Sequence, residues 1–174
     1  MKQLRIAITG PEATGKTELA GQLAHHYKAD CVPEYAREYL TKLIRPYGFD
    51  DLNIIAQRQF AMIRQAVDKS NGLVFFDTEM LVMKVWSDVK FGRCHKTILR
   101  NLESQPVDFY LLPDIDLPWE SDPLREHPHL RPYLKSLYLE ELQTRKLPYH
   151  IVSGTGTARL YNAIAKVDEL LSQS

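Results

Sequence analysis

The 174-residue sequence predicts an α/β fold of three layers, a five-stranded parallel sheet covered by helices on both faces, on three observations. Short apolar runs alternate with stretches of helical spacing along the whole chain, the pattern that strand–helix–strand units and a parallel sheet produce. One glycine-rich segment, Gly10-Pro11-Glu12-Ala13-Thr14-Gly15-Lys16-Thr17, fits G-x-x-x-x-G-K-[ST] without a mismatch and stands between such a run and such a stretch. The polar candidates fall at the ends of the apolar runs, where an open parallel sheet binds its ligands.

Taken in order, Leu4 to Thr9 is the first strand, and Leu19, Ala20, Leu23 and Ala24 recur at helical spacing behind the glycine-rich segment as far as His26-Tyr27. Cys31-Val32-Pro33-Glu34 reads as a brief second strand, near the middle of the sheet by topology. A helical piece, Glu34 to Leu40, stops near Arg45-Pro46-Tyr47-Gly48. A long helix then opens on Asp50 or Asp51 as N-cap, carries Ile54, Ile55, Phe60, Ile63 and Val67 on its apolar side, and ends at Asn71-Gly72. Leu73 to Asp77 is a continuous apolar run ending in a carboxylate, as a strand buried on both faces requires.

Helices over 81–89 and 96–103 flank the connection Gly92 to His95, and the fourth strand is 108–112. Pro113 to Pro132 is rich in proline and charge, poor in core residues, and long enough to act as a lid. A helix over 133–145, a strand over 149–152, a Gly154-Thr155-Gly156 turn and a closing helix over 158–171 complete a single domain.

The glycine-rich segment reads as a phosphate-binding loop, or P-loop. Its glycines let the backbone curl so that N–H groups from Gly10 to Glu18 point at the β- and γ-phosphates, and the following helix adds its positive end. Glu12, Ala13, Thr14 and Gly15 form the cradle, Lys16 reaches for the γ-phosphate, and Thr17 offers a hydroxyl to Mg²⁺. This makes the chain a P-loop NTPase by pattern, with ATP and Mg²⁺ as its expected cofactors.

Asp77 is in position to hold the same metal, directly or through water; as alternatives it, Thr78 or Glu79 would cap the next helix. Glu34, ending the second strand, would accept an attacking hydroxyl, or else pair with Arg37 at i, i+3. Arg37 binds a substrate phosphate or orients Glu34. Tyr35, Tyr39, Trp86 and Trp119 supply rings at the same rim, either as packing or as a stacking surface; Trp119, between Asp116 and Asp122, would suit a flat cation. Arg125 and Arg131 would close over the transferring phosphoryl group and gain partners only from the phosphates, or stand solvated, whereas His127 and His129 face solvent. The stretch Gly154 to Arg159 either seats the adenine or simply starts a helix.

Composition narrows the partners. Lys and Arg number 22, equal to Asp and Glu, and the signs are mixed along the chain, which argues against nucleic acid or an anionic membrane. No apolar run approaches the roughly 18 residues of a membrane span and no signal segment is evident, so a cytoplasmic location is expected. Two cysteines, Cys31 and Cys94, lack the spacing of a disulfide framework or zinc site.

Gly10 to Thr17, Val32-Pro-Glu-Tyr-Ala-Arg-Glu-Tyr39, Phe76-Asp-Thr-Glu79 with Lys84-Val-Trp86, Leu111 to Trp119 and Asp122-Pro-Leu-Arg125 together resemble the ribosylnicotinamide kinase domain of NadR-type proteins, in a stand-alone form. The resemblance implies a kinase that transfers the γ-phosphoryl of ATP, with Mg²⁺, to the 5′-hydroxyl of nicotinamide riboside. It also implies that Gly10 to Thr17 carry the phosphates, Asp77 the metal, and Arg125 with Arg131 the lid. The adenylyltransferase and repressor regions of larger members have no counterpart here. The rival readings are a kinase for another nucleoside or a monophosphate, with Arg37 and distantly Arg100 as acceptor-side cations, and an ATP-binding switch protein. The partner expected in the first two is a small nucleoside or nucleotide; the sequence carries no sign of oligomeric state.

Overall fold

The computed structural model describes residues 3–127 and 129–173. Five strands, β1 (Leu4–Ile8), β2 (Asp30–Val32), β3 (Leu73–Asp77), β4 (Phe109–Pro113) and β5 (Tyr149–Val152), form one parallel sheet in the order β2-β3-β1-β4-β5. The helices are α1 (Lys16–Tyr27), α2 (Tyr35–Lys42), α3 (Phe49–Lys69), α4 (Met80–Phe91), α5 (Lys96–Ser104), α6 (Arg131–Thr144) and α7 (Gly156–Ser172).

Both faces of the sheet are apolar, which is why its strands read as continuous apolar runs. Leu4, Ile6, Ile8, Phe75, Phe109 and Leu111 turn toward α1 and α7. The alternate residues Ala7, Val74, Phe76, Tyr110 and Leu112 turn toward the layer built from α2 to α6. The three-layer architecture expected from the sequence is therefore the one observed. Among the described residues no helix is long and apolar enough to cross a membrane.

Several elements differ from expectation for identifiable reasons. β2 lies at the sheet edge and stops at Val32, because Pro33 has no N–H to continue the ladder. In α3 the buried stripe is Leu52, Ile55, Ala56, Gln59 and Ile63, while Ile54 is 49% exposed; at about 100° per residue those five fall on one side of the helix and Ile54 on the opposite one. The helix ends at Lys69 with Ser70 as C-cap, ahead of Asn71-Gly72. The long connection also ends earlier than its composition implied: Pro113 belongs to β4 and Arg131-Pro132 open α6, since proline is tolerated in the first helical turn. Pro128, within that connection, lies outside the described residues.

At the start of α3 Gly48 is the N-cap, and Asp51, three residues on, folds back to accept the Gly48 N–H at 2.7 Å. The same carboxylate accepts Arg45 Nη1 at 2.6 Å and Nη2 at 2.9 Å, and the Tyr39 hydroxyl at 2.7 Å. Arg45 first, then the Gly48 N–H and Tyr39, hold the Asp51 carboxyl well below the usual carboxylate range. A depressed folded-state value contributes stability above the unfolded value near 4 and loses it as pH falls toward the folded one. Asp51→Asn should therefore lower stability at pH 7 by about 1 kcal/mol and flatten the decline in urea midpoint below pH 4. An unchanged midpoint at pH 7 would show that the joint between α2 and α3 does not depend on this carboxylate.

Candidate active site

β1 delivers the chain to the middle of the sheet's carboxyl edge, and the loop there has the backbone that its sequence demands. Gly10 has φ +135° and Gly15 φ +72°; a Cβ on either would sit 2.9 Å from a Leu112 or Leu117 methyl carbon. Only glycine combines those dihedrals with that close approach. Inside the loop, the Thr14 hydroxyl and Lys16 Nζ each donate to the Pro11 carbonyl at 2.8 Å. No side chain caps α1, so its first N–H groups remain available to an anion.

Two arginines expected to touch nucleotide instead brace this loop from outside. Arg159, 5% exposed, donates to the carbonyls of Thr14 at 2.6 Å, Gly154 at 2.9 Å and Asp114 at 3.0 Å. Arg131 donates to the carbonyls of Ala13 at 3.1 Å and Leu117 at 2.7 Å, and its guanidinium stands 5.9 Å above the Trp119 ring. Asp116 accepts the Gly154 N–H at 2.6 Å. Arg131 thus has protein partners already, contrary to the expectation that phosphates alone would supply them. The structure does not bring Trp119, Asp116 or Tyr35 to the cavity wall: the first two belong to this brace, and Tyr35 packs beside Tyr39 at 6.2 Å.

A cavity of about 570 Å³ opens from the mouth of the loop. The residues from Gly10 to Glu18 line it together with Glu34, Arg37 and Arg125, as do Val82, Val85, Trp86 and Val89 of α4 and Leu134 and Tyr138 of α6. Trp86 donates its Nε1–H to the Tyr47 hydroxyl at 3.0 Å, which fixes the ring. Tyr138 is 3% exposed. It belongs to a helix whose apolar pattern read as plain packing, so nothing in the sequence separated it from core.

Three ionisable groups lie close together here, Lys16 and Glu34 in the cavity wall and Asp77 buried beside them. Burial pulls the Lys16 ammonium below its ordinary value, while Glu34, Asp77 and Glu12 pull it up. Burial also raises the Glu34 carboxyl, with Lys16 and Arg37 opposing and Asp77 adding to the rise. Asp77, 2% exposed, is raised by burial, and the nearby Thr17 hydroxyl and Lys16 oppose this without either reaching hydrogen-bond geometry. Of the two structural roles open to these carboxylates, neither is filled by them. Arg37 pairs with Asp122 at 3.0 Å rather than with Glu34. Glu79, not Asp77, caps α4, accepting the Leu81 N–H at 2.5 Å.

Asp77 therefore has two buried oxygens without a partner, an arrangement that costs free energy unless something positive is bound there. Its neighbour Thr78 adopts φ +80°, a left-handed conformation that costs a non-glycine residue about 1–2 kcal/mol. An oxygen-only pair, Asp77 and Thr17, fits Mg²⁺.

The connection between β4 and α6 is tied down at several points. Glu12 of the loop accepts the N–H groups of Glu126 at 3.1 Å and His127 at 2.5 Å. Lys90 pairs with Glu126 at 2.7 Å, and Arg125 donates to the Glu120 carbonyl at 2.6 Å. His127, expected to face solvent, lines the cavity, whereas His129 is exposed.

A five-stranded sheet in this order with a P-loop after β1 defines an α/β protein of the P-loop kinase-like fold. The chain belongs to the family described as AAA domain, whose model matches residues 5–159. It is 23% identical over 175 residues to the trifunctional NAD biosynthesis/regulator protein NadR of Salmonella typhimurium, covering 97% of this chain and 43% of that protein. Against the Escherichia coli protein of the same description it is 27% identical over 124 residues, covering 69% and 30%. A crystal structure of NadR protein in complex with NR shares the fold with a TM-score of 0.82 at 22% identity, over 96% of this chain and 50% of that one. The resemblance to NadR-type proteins drawn from the motifs is borne out, and the chain spans half or less of the length of these relatives.

The Glu12 contacts make the connection's mobility testable. Glu12→Ala removes the acceptor for two backbone N–H groups, so the segment around Arg125 should open more readily and trypsin should cut there about tenfold faster. Equal cleavage rates would mean that Glu12 does not hold the segment.

Proposed function

We propose that this chain is an ATP- and Mg²⁺-dependent kinase for the 5′-hydroxyl of nicotinamide riboside. The observation that carries the acceptor is the make-up of the cavity beyond Glu34: an apolar and aromatic wall from α4 and α6, with Arg37, the cation expected to take an acceptor phosphate, paired to Asp122 at 3.0 Å. Such a wall suits a flat cationic ring and a sugar without phosphate better than it suits a nucleotide. The likeness to a NadR protein solved with NR supports the same reading.

In this reading the loop N–H groups and Lys16 hold the γ-phosphate, and the acceptor hydroxyl lies against Glu34. Mg²⁺, held by Thr17 and Asp77, would neutralise charge on the β- and γ-phosphate oxygens. The acceptor oxygen forms the new bond to the γ-phosphorus as the bond to ADP breaks, and Glu34 takes the hydroxyl proton. Positioning dominates over basicity, because the transition state is loose. Arg125, at the cavity mouth near Lys16, is the lid residue suited to the transferring group. Of the rings expected near the substrate, Trp86 is the one in the cavity wall, and its face would stack on the pyridinium.

The test is acceptor-dependent ADP release with nicotinamide riboside, uridine and a nucleoside monophosphate. Lys16→Ala should lower kcat by about 10²-fold or more without unfolding the chain, as expected for one preorganised donor. Trp86→Leu should raise KM for nicotinamide riboside by about 2- to 30-fold, the equivalent of roughly 0.5–2 kcal/mol from a cation over a ring face, and change uridine less. If the monophosphate is the best acceptor and Arg37→Ala abolishes that preference, the nicotinamide reading is wrong. ATP turnover that no acceptor stimulates would point to a switch protein instead.

A further inference from the structure

Gln59 of α3 is a fully buried amide, at 0% exposure, in a stripe otherwise apolar, and all its polar atoms are spent on backbone. Nε2 donates to the Pro33 carbonyl at 3.1 Å and to the Thr78 carbonyl at 3.2 Å, while Oε1 accepts the Tyr35 N–H at 2.8 Å. The orientation of the amide is forced, since two partners are acceptors only and the third is a donor only. Pro33 and Tyr35 flank Glu34, and Thr78 follows Asp77.

We infer that Gln59 is a positioning residue for phosphoryl transfer: through one side chain it sets the separation of Glu34 from Asp77 at the mouth of the P-loop. The sheet cannot do this itself. Pairing of β2 with β3 ends at Val32 opposite Phe76, so the two carboxylates lie just beyond the last rung of the ladder. Past that rung, the amide joins the two loops in its place. It also supports Thr78 in its left-handed conformation, the turn that leaves Asp77 facing Lys16 and Thr17. No donor of the amide is left for a ligand, so its influence on the reaction runs through backbone alone.

This inference rests on the kinase reading, and the experiment separates the two. Gln59→Leu removes all three bonds, and Gln59→Glu keeps the shape while turning oxygen toward two carbonyls, so one of them serves if the other fails to fold. Ile63→Ala, one turn along the same buried stripe, is the control for lost stability alone. With saturating ATP and acceptor, the Gln59 variants should lose about tenfold or more in kcat, a loss that saturation cannot restore because a misplaced carboxylate pair weakens the transition state, and KM for ATP should rise by about fivefold as Mg²⁺ loses its carboxylate. Ile63→Ala should stay within about twofold in both. A kcat loss no larger than the control's overturns the inference and leaves the kinase reading standing. If wild type shows no acceptor-dependent turnover the kinase reading fails, and calorimetry of a non-hydrolysable ATP analogue decides the rest. The gain in affinity on adding Mg²⁺ should shrink about fivefold or more in the Gln59 variants and persist in Ile63→Ala; an equal gain in all of them overturns the inference.

Discussion

The site depends on keeping Lys16, Glu34 and Asp77 close together without letting them neutralise one another, the first two half-buried in the cavity wall and Asp77 fully buried. A salt bridge between Lys16 and either acid would be the cheapest arrangement, and the structure avoids it: the ammonium donates to the Pro11 carbonyl and the Asp77 oxygens have no partner. Burial shifts each group toward its neutral form, while attraction between Lys16 and each acid resists the shift. Such a cluster is destabilising by itself, so the surrounding fold has to hold it in place. The register of β1 against β3, with Ile8 opposite Asp77, fixes one of its sides, and the strained Thr78 turn fixes another.

The same economy explains why guanidinium groups near a phosphate site need not bind phosphate. A loop curled so that its N–H groups point inward turns carbonyls outward, and those carbonyls need donors. Arg159 meets the Thr14 carbonyl and Arg131 the Ala13 carbonyl. Both also reach carbonyls of the segment after β4, Leu117 and Asp114, so the rigidity of the loop and the position of that segment's base are one property. Arg125 differs: it donates to the Glu120 carbonyl and pairs with the Glu120 carboxylate at 3.9 Å, both in its own segment, and lies in the cavity wall.

What the sequence disclosed follows from how local each signal is. The five strands and the P-loop were legible because apolar runs and glycine spacing are decided within a few residues. The stripe on α3 was misjudged at Ile54 because a polar residue, Gln59, occupies a core position on account of partners 24 and 26 residues earlier and 19 later. Glu79 was no more visible as a buried acceptor, since Thr9 and Gln105, which satisfy it at 2.8 Å each, come from distant strands and loops. Trp119 looked like a ligand surface because carboxylates flank it in sequence; in space one of them holds a turn and the ring faces an arginine.

The apolar wall proposed for the acceptor shows why choice of substrate is the least legible part of such a chain. Val85 and Tyr138 belong to the buried core of the α2 to α6 layer, and Val82, Trp86 and Val89 pack against it. Their apolar character is demanded by folding before any ligand is considered, so composition alone gives no sign of which of them a substrate touches. In the proposed kinase, the acceptor would change only with residues that also hold the helices to the sheet. On that proposal phosphate chemistry is written in a short motif, and acceptor chemistry would be written in the packing of α4 against α6.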